Sequence, residues 1–230
     1  MLLAILALLL IVVIALPQLW VRWVFHRHGQ DLPSVPGTGA ELATHLLKRF
    51  ELDDVRVEQT TENGDHYDPE ANAVRLGPRV HDGRSLTAIA VAAHEVGHAL
   101  QFNRQEPVVR LRQRYFRPAL ALKRLGATVL ALMPLLLIVF RIPHPMVFAA
   151  VVGVATMLVS VLLYVAILPE EWDASFGKAL PILEEGAYVQ SHELPAVRRI
   201  LTAAALTYVA AALADILNLA RWFALLRGAR

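Results

Sequence analysis

Two histidines four residues apart, with a glutamate directly after the first, define the chemistry open to this chain: His94-Glu95-Val96-Gly97-His98. Residues i and i+4 of a helix lie one above the other on the same face. A helix over Ser85 to Asn103 therefore presents both imidazoles to one metal ion. Glu95 then stands beside that ion, where a carboxylate acts as general base toward a bound water. H-E-x-x-H also arises by chance, as a buried helix with two incidental histidines. Against that reading, Glu95 lies in a run of Ala and Val, where an unpaired carboxylate is costly. A catalytic zinc site takes three protein ligands and keeps one position open. The candidate for the third is Glu171, in Pro169-Glu170-Glu171-Trp172-Asp173-Ala174-Ser175. Glu170 competes with it, and an ordinary interfacial carboxylate is the plainer alternative.

The chain has 230 residues and no cysteine. Disulfides and Cys-rich zinc sites are excluded, so a metal must be held by His and carboxylates. A net charge of +2 is no electrostatic footprint for nucleic acid. Hydrophobic residues make up 56%, above the share of an ordinary soluble domain. The composition is that of an integral membrane protein carrying a small polar domain.

Three apolar runs bear this out. Leu2 to Val21 is uncharged and about as long as the ~20 residues that a bilayer span needs. A signal peptide is the rival reading. No Lys or Arg precedes the run, no small-x-small cleavage site follows, and Trp20, Trp23 and Phe25 fit an interfacial aromatic belt. Leu125 to Phe140 is the second run, with Pro134 predicted to kink it. Met146 to Leu168 is the third, joined to the second by the turn Arg141-Ile142-Pro143-His144-Pro145 into a helical hairpin. Arg22 and Arg27 follow the first run, and Arg110, Arg112, Arg114, Arg117, Lys123 and Arg124 precede the second. The positive-inside rule then puts the polar domain in the cytoplasm, with Met1 and the Arg141 turn outside. The hairpin returns Glu171 to the side of the membrane that the histidine helix occupies.

Elements must position these residues. His26 to Pro36 reads as a linker, Thr38 to Phe50 as a helix, and Val55 to Glu58 as a strand. Glu62-Asn63-Gly64-Asp65 is a turn, and Ala73 to Leu76 a second strand ended by Gly77-Pro78. Ser85 is the expected N-cap of the histidine helix. A strand edge around Val74 is expected to pair with an extended substrate. Leu194 to Arg230 has a helical pattern. Its flanking arginines give no orientation, and a helix packed on the bundle or lying at the interface fits better than a fourth span.

The expected fold is mainly α and membrane-integral. It has about three transmembrane helices, a small α+β zincin-like cytoplasmic domain and a C-terminal bundle-packed helix. The divisions are 1–25 (first span), 26–117 (the zinc domain), 118–168 (the hairpin) and 169–230 (third-ligand helix and C-terminal helix).

The chain resembles the YugP-type neutral zinc metallopeptidases, a group of bacterial membrane proteins. The resemblance is carried by Asp65-His66-Tyr67-Asp68-Pro69, by the run from Ala90 to Gln101 around the histidines, by Leu168 to Ser175, and by Ala203 to Ala211. It implies zinc peptidase activity in the inner (plasma) membrane of a bacterium and names no substrate. The layout is also similar to the HtpX-type membrane metalloproteases, in which a membrane hairpin follows H-E-x-x-H and E-x-x-A-D comes next. Here Glu171-Trp172-Asp173-Ala174-Ser175 departs from that pattern at its last position. Ser175, four residues after Glu171, faces the same way and is the expected neighbour of a metal-bound imidazole, while Asp173 is expected to point elsewhere.

His66 and Asp68 are candidate substrate-binding residues, with a turn-stabilising role as the alternative. His66, Tyr67 or Arg75 is a possible donor to the transition state. Asp215 is expected to face the bundle, and His26, His28, His45, His81, His144 and His192 to lie on the surface or in loops. The function read from these residues is a zinc metalloendopeptidase that cleaves protein or peptide substrates by Glu95-assisted attack of zinc-bound water. Its zinc is held by His94, His98 and Glu171, and its partners are the lipid bilayer and membrane-proximal or unfolded chains. A catalytically idle zinc-binding scaffold in membrane quality control is the second reading. A di-iron oxygenase is a third, and needs more ligands than one H-E-x-x-H supplies.

Overall fold

The computed structural model describes residues 2–62, 64–133, 135, 145–211 and 213. The expected kink at Pro134, residues 141–144 of the turn, and Asp215 lie outside these residues. The fold is mainly helical with one small sheet. The chain forms two compact units: one of Leu19–Arg110 and Leu168–Thr207, the other of Met1–Gln18, Leu111–Ile167 and Tyr208–Arg230.

The first unit carries the histidines. Helix α1 (Leu2–Arg27) enters it with its last residues. Helix α2 (Gly39–Arg49) starts at Thr38, whose hydroxyl accepts from the Glu41 amide while Glu41 Oε2 accepts from the Thr38 amide. This reciprocal box satisfies two amides that a helix start leaves open. Leu42, Ala43, Leu46 and Leu47 are its buried face. Strands β1 (Arg56–Gln59), β2 (His66–Asp68) and β3 (Ala73–Leu76) form a sheet in the order β1-β3-β2. β1 runs parallel to β3, and β2 antiparallel to it with Tyr67 opposite Val74. Strand β3 is thus central and Val74 fully buried, so the expectation of a substrate-pairing edge at Val74 fails. The edges are β1 and β2, and β2, with three residues, is too short to register as an alternating pattern. The connection from β2 to β3 turns on Asp68, whose Oδ1 accepts from the amides of Glu70 and Ala71. Asn72 takes the left-handed conformation there, which Asn tolerates.

After the short helix α3 (Pro78–His81) comes α4 (Leu86–Asn103), capped by Ser85 Oγ accepting from the Ala88 amide. Every residue of α4 from Leu86 to Gln101 is buried, as its apolar character on all sides requires. Ala88, Ala90, Ala92, Ala93, Gly97 and Ala99 let its neighbours come close. His94, Glu95, His98 and Gln101 are therefore polar groups in the core of this unit, and such groups need partners.

Helix α6 follows α5 (Arg110–Ala131) and runs unbroken from Pro145 to Trp172, so it ends in the first unit. It continues as a π-helical stretch, Asp173–Ala179, then α7 (Leu180–Glu185), and α8 (Leu194–Ala205) closes the core. In the second unit, α5 meets α6 where Gly126 lies against Thr156, with no room for a Cβ between them. Val147, Val151, Val154, Leu158, Leu162 and Val165 on α6 are exposed. The helical stretch Val147–Glu185 is long and apolar enough to cross a membrane.

Candidate metal centre

Helix α4 stacks His94 and His98 one turn apart, with ring centroids 4.7 Å apart. The last turn of α6 brings Glu171 against both. Its Oε2 lies 3.3 Å from His94 Nε2 and 3.3 Å from His98 Nε2. Ligand atoms 2.0–2.1 Å from a tetrahedral zinc ion lie about 3.3–3.4 Å from one another. The two distances from Glu171 Oε2 thus match edges of a zinc coordination tetrahedron, and the three ligand atoms all lie within 4.8 Å of one another. All three residues are buried. Two imidazole nitrogens and a carboxylate oxygen also form the donor set of hydrolytic zinc sites.

The far side of each ring is occupied. Ser175 Oγ lies 3.0 Å from His94 Nδ1 and donates to the Leu201 carbonyl at 3.1 Å. A hydroxyl has one proton. With that proton on Leu201, Ser175 accepts from His94 Nδ1–H, and the Nε2 lone pair of His94 faces Glu171. His98 Nδ1 lies 3.0 Å from Gln101 Oε1 and 3.5 Å from Glu170 Oε1. Gln101 Nε2 in turn donates to the Glu170 carbonyl at 3.0 Å and to Asp173 Oδ2 at 2.8 Å. Asp173 also pairs with Lys178 at 3.1 Å, and Lys178 with Glu106 at 3.0 Å.

Glu170, the competitor for third ligand, sits on the Nδ1 side of His98, away from the shared focus of the two Nε2 atoms. Burial alone would raise the Glu171 carboxyl. The imidazoles of His98 and His94 outweigh it and hold that carboxyl below the usual carboxylate range.

Glu95 points its Oε2 at the edge strand and accepts from the Tyr67 amide at 2.9 Å. Burial pushes its carboxyl up to about 7; the charges of Glu171 and Asp65 add to the rise, while His94 and the Tyr67 N–H oppose it. Asp65, whose Oδ1 accepts from the Gly77 amide, is itself raised, chiefly by burial. A carboxyl poised near neutrality can both take up a proton and return it.

The other candidates divide. Ser175 lies against His94 Nδ1. His66 donates through Nδ1 to the Gly64 carbonyl at 2.6 Å. Asp68 holds its turn and pairs with Arg75 at 2.5 Å, and Arg75 is shared with Glu58. Among the described contacts, His66, Asp68 and Arg75 are engaged in the sheet and its turns. Tyr67 contributes its backbone, while its hydroxyl donates to Asn72 Oδ1. Among the described contacts Asp173 touches neither imidazole, and its Oδ2 accepts from the Gln101 amide, whose Oε1 meets His98 Nδ1. Gln101 itself was not singled out. Its signal was present, since it stands three residues after His98 on one helix, within reach of the same face.

A family model described as "Putative neutral zinc metallopeptidase" matches residues 3–227. The chain belongs to this family. The match spans both units of the fold, with the His94–His98–Glu171 cluster inside the matched region. The chain is also 36% identical over 208 residues to "Putative membrane protease YugP" of Bacillus subtilis (strain 168), covering 89% of this chain and 88% of that one. No solved structure matches it.

Proposed function

We propose that this family member is a membrane-embedded zinc endopeptidase whose ion is held by His94 Nε2, His98 Nε2 and Glu171. The observation that carries the reading is the meeting of both Nε2 atoms at 3.3 Å from one carboxylate oxygen, with both Nδ1 atoms hydrogen-bonded behind them. Zinc, when bound, polarises a carbonyl as a Lewis acid and makes a coordinated water acidic near neutral pH.

The chain's own residues do the rest. Glu95 accepts the proton of the attacking water and delivers it to the leaving amide nitrogen as the peptide bond breaks. Its near-neutral carboxyl suits both transfers, and the Tyr67 N–H holds it in one orientation. Ser175 holds the His94 ring so that Nε2 faces the ion. Strand β2, the edge next to Glu95, is the pairing site for an extended substrate. The first apolar run, the hairpin and the basic residues between them make a three-span protein with the zinc site toward the cytoplasm.

The test is elemental analysis of the purified full chain together with digestion of an unfolded casein-type substrate. One zinc per chain and cleavage that a chelator stops are the expected results. Absence of zinc from active protein overturns the reading.

A further inference from the structure

The two imidazoles of the cluster are oriented by different devices. His94 is held by a hydroxyl whose own proton is committed to a backbone carbonyl. His98 is held at 3.0 Å by a primary amide, which carries an acceptor on one side and donors on the other, with Glu170 Oε1 farther off at 3.5 Å from the same Nδ1. An amide serves as an acceptor only if it cannot rotate to present its NH2 group. Gln101 is fully buried, and its Nε2 faces two acceptors, the Glu170 carbonyl and Asp173 Oδ2. Reversing the amide would set its oxygen against that carbonyl and that carboxylate and would leave the NH2 facing His98. Oε1 is therefore the atom that meets His98 Nδ1, and Nδ1 must be the protonated nitrogen. The lone pair then lies on Nε2, the atom 3.3 Å from Glu171 Oε2.

We propose that Gln101 is a positioning residue of the metal centre: it selects the Nδ1–H tautomer of His98, and Asp173 selects the orientation of Gln101. The inference rests on the zinc reading for its purpose and not for its geometry. It extends through the protein to a charged cluster. Asp173 is anchored by Lys178 Nζ at 3.1 Å, and Lys178 by Glu106 Oε2 at 3.0 Å. Asp173, two residues after Glu171, and Glu106, just past the end of α4, thus tie the two ligand-bearing elements together behind His98. Ser175, which stands where E-x-x-A-D would have its Asp, meets His94 Nδ1. The remaining carboxylate, Asp173, acts on the other histidine with an amide in between.

The test uses the full chain in detergent with two readouts. The first is zinc affinity, measured by competition with a chromophoric chelator. The second is nitrogen-15 NMR of labelled histidines in zinc-free protein, which distinguishes the two imidazole tautomers. Gln101→Met keeps the volume and removes both functions of the amide. It should weaken zinc binding roughly 10- to 100-fold, the range for loss of a partner behind a ligand, and His98 should lose its uniform Nδ1–H signature. Asp173→Ala leaves Gln101 in place and frees its amide to turn. It should shift His98 in the same direction by a smaller amount, and Asp173→Asn, whose carbonyl oxygen can still accept, should restore the wild-type signature. The Asp173 pair keeps the test decisive if Gln101→Met does not fold. Wild-type zinc affinity in Asp173→Ala with an unchanged His98 signature overturns the proposal. Wild-type protein that binds no zinc but shows His98 as Nδ1–H, altered in Asp173→Ala, overturns the zinc reading and leaves the positioning role standing.

Discussion

Gly97, between the two histidines, lies so close to Ala174 that a Cβ built on it would stand 2.8 Å from the Ala174 carbonyl oxygen. That oxygen is backbone and cannot rotate away. The contact sets the distance between α4 and the stretch that follows Glu171, three residues earlier in the chain. Replacing Gly97 by Ala has two opposed effects. Ala is favoured over Gly inside a helix by about 1 kcal/mol. Overpacking a buried contact costs typically ~1–3 kcal/mol. The second should win. Gly97→Ala is expected to lower the thermal unfolding midpoint and to weaken zinc binding as Glu171 moves off, and Gly97→Val to do more of both. Thermal melts and chelator competition on the same preparations check it; a Gly97→Ala protein with raised stability and intact affinity contradicts it.

The three proposed ligands should each be needed for the ion. His94→Ala, His98→Ala and Glu171→Ala are expected to lose stoichiometric zinc in elemental analysis. Glu170→Gln should retain it, because Glu170 lies behind His98 on the Nδ1 side. Zinc kept in Glu171→Ala and lost in Glu170→Gln would move the third ligand by one residue.

Glu95 should matter for turnover and not for metal. Its carboxylate reaches the Tyr67 amide and is absent from the donor trio. Glu95→Gln preserves the side-chain shape and removes the base. Zinc content should stay at the wild-type level while the rate of casein-type digestion falls by ~10²-fold or more. Near wild-type digestion by this variant would rule out the proposed proton transfer.

Much of this centre was legible in the sequence because its parts are local. The i, i+4 histidines, the Ser85 cap and the Thr38 start each depend on residues within a turn of one another. Ser175 was reached by counting four residues from Glu171, and it does meet His94, although its segment is π-helical. What could not be read depends on contacts between distant segments or on backbone atoms. Strand β2 is three residues long, and the group it offers Glu95 is an amide that any residue carries. The central place of β3 follows from pairing order, which a strand's composition does not encode. Asp173 is not i+4 from Glu171, so helical period alone could not reveal that Gln101, 72 residues earlier, links it to His98.

The polar domain should lie in the cytoplasm. The motive is the Arg and Lys excess after the first apolar run and before the second. The native chain has no cysteine, so Ser34→Cys and Pro143→Cys each report one position. A membrane-impermeant thiol reagent should label position 143 in intact cells and position 34 only after permeabilisation. The opposite pattern would invert the topology.

Substrates should be flexible chains or tails held near the bilayer. Glu171 is separated from the apolar run of α6 by only Pro169 and Glu170, in one continuous helix. A site so tied is expected to work close to the membrane surface, where a large folded domain approaches poorly. The edge offered beside Glu95 is β2, whose three side chains are all buried or engaged in the sheet and its turns. Pairing with it requires a chain already extended. Reconstituted enzyme should therefore cut an unfolded soluble protein faster than its native form, and a peptide tethered to the vesicle faster than the same peptide free in solution. Equal rates on native and unfolded protein, with no gain from tethering, would place the site away from the membrane and remove the need for an extended substrate.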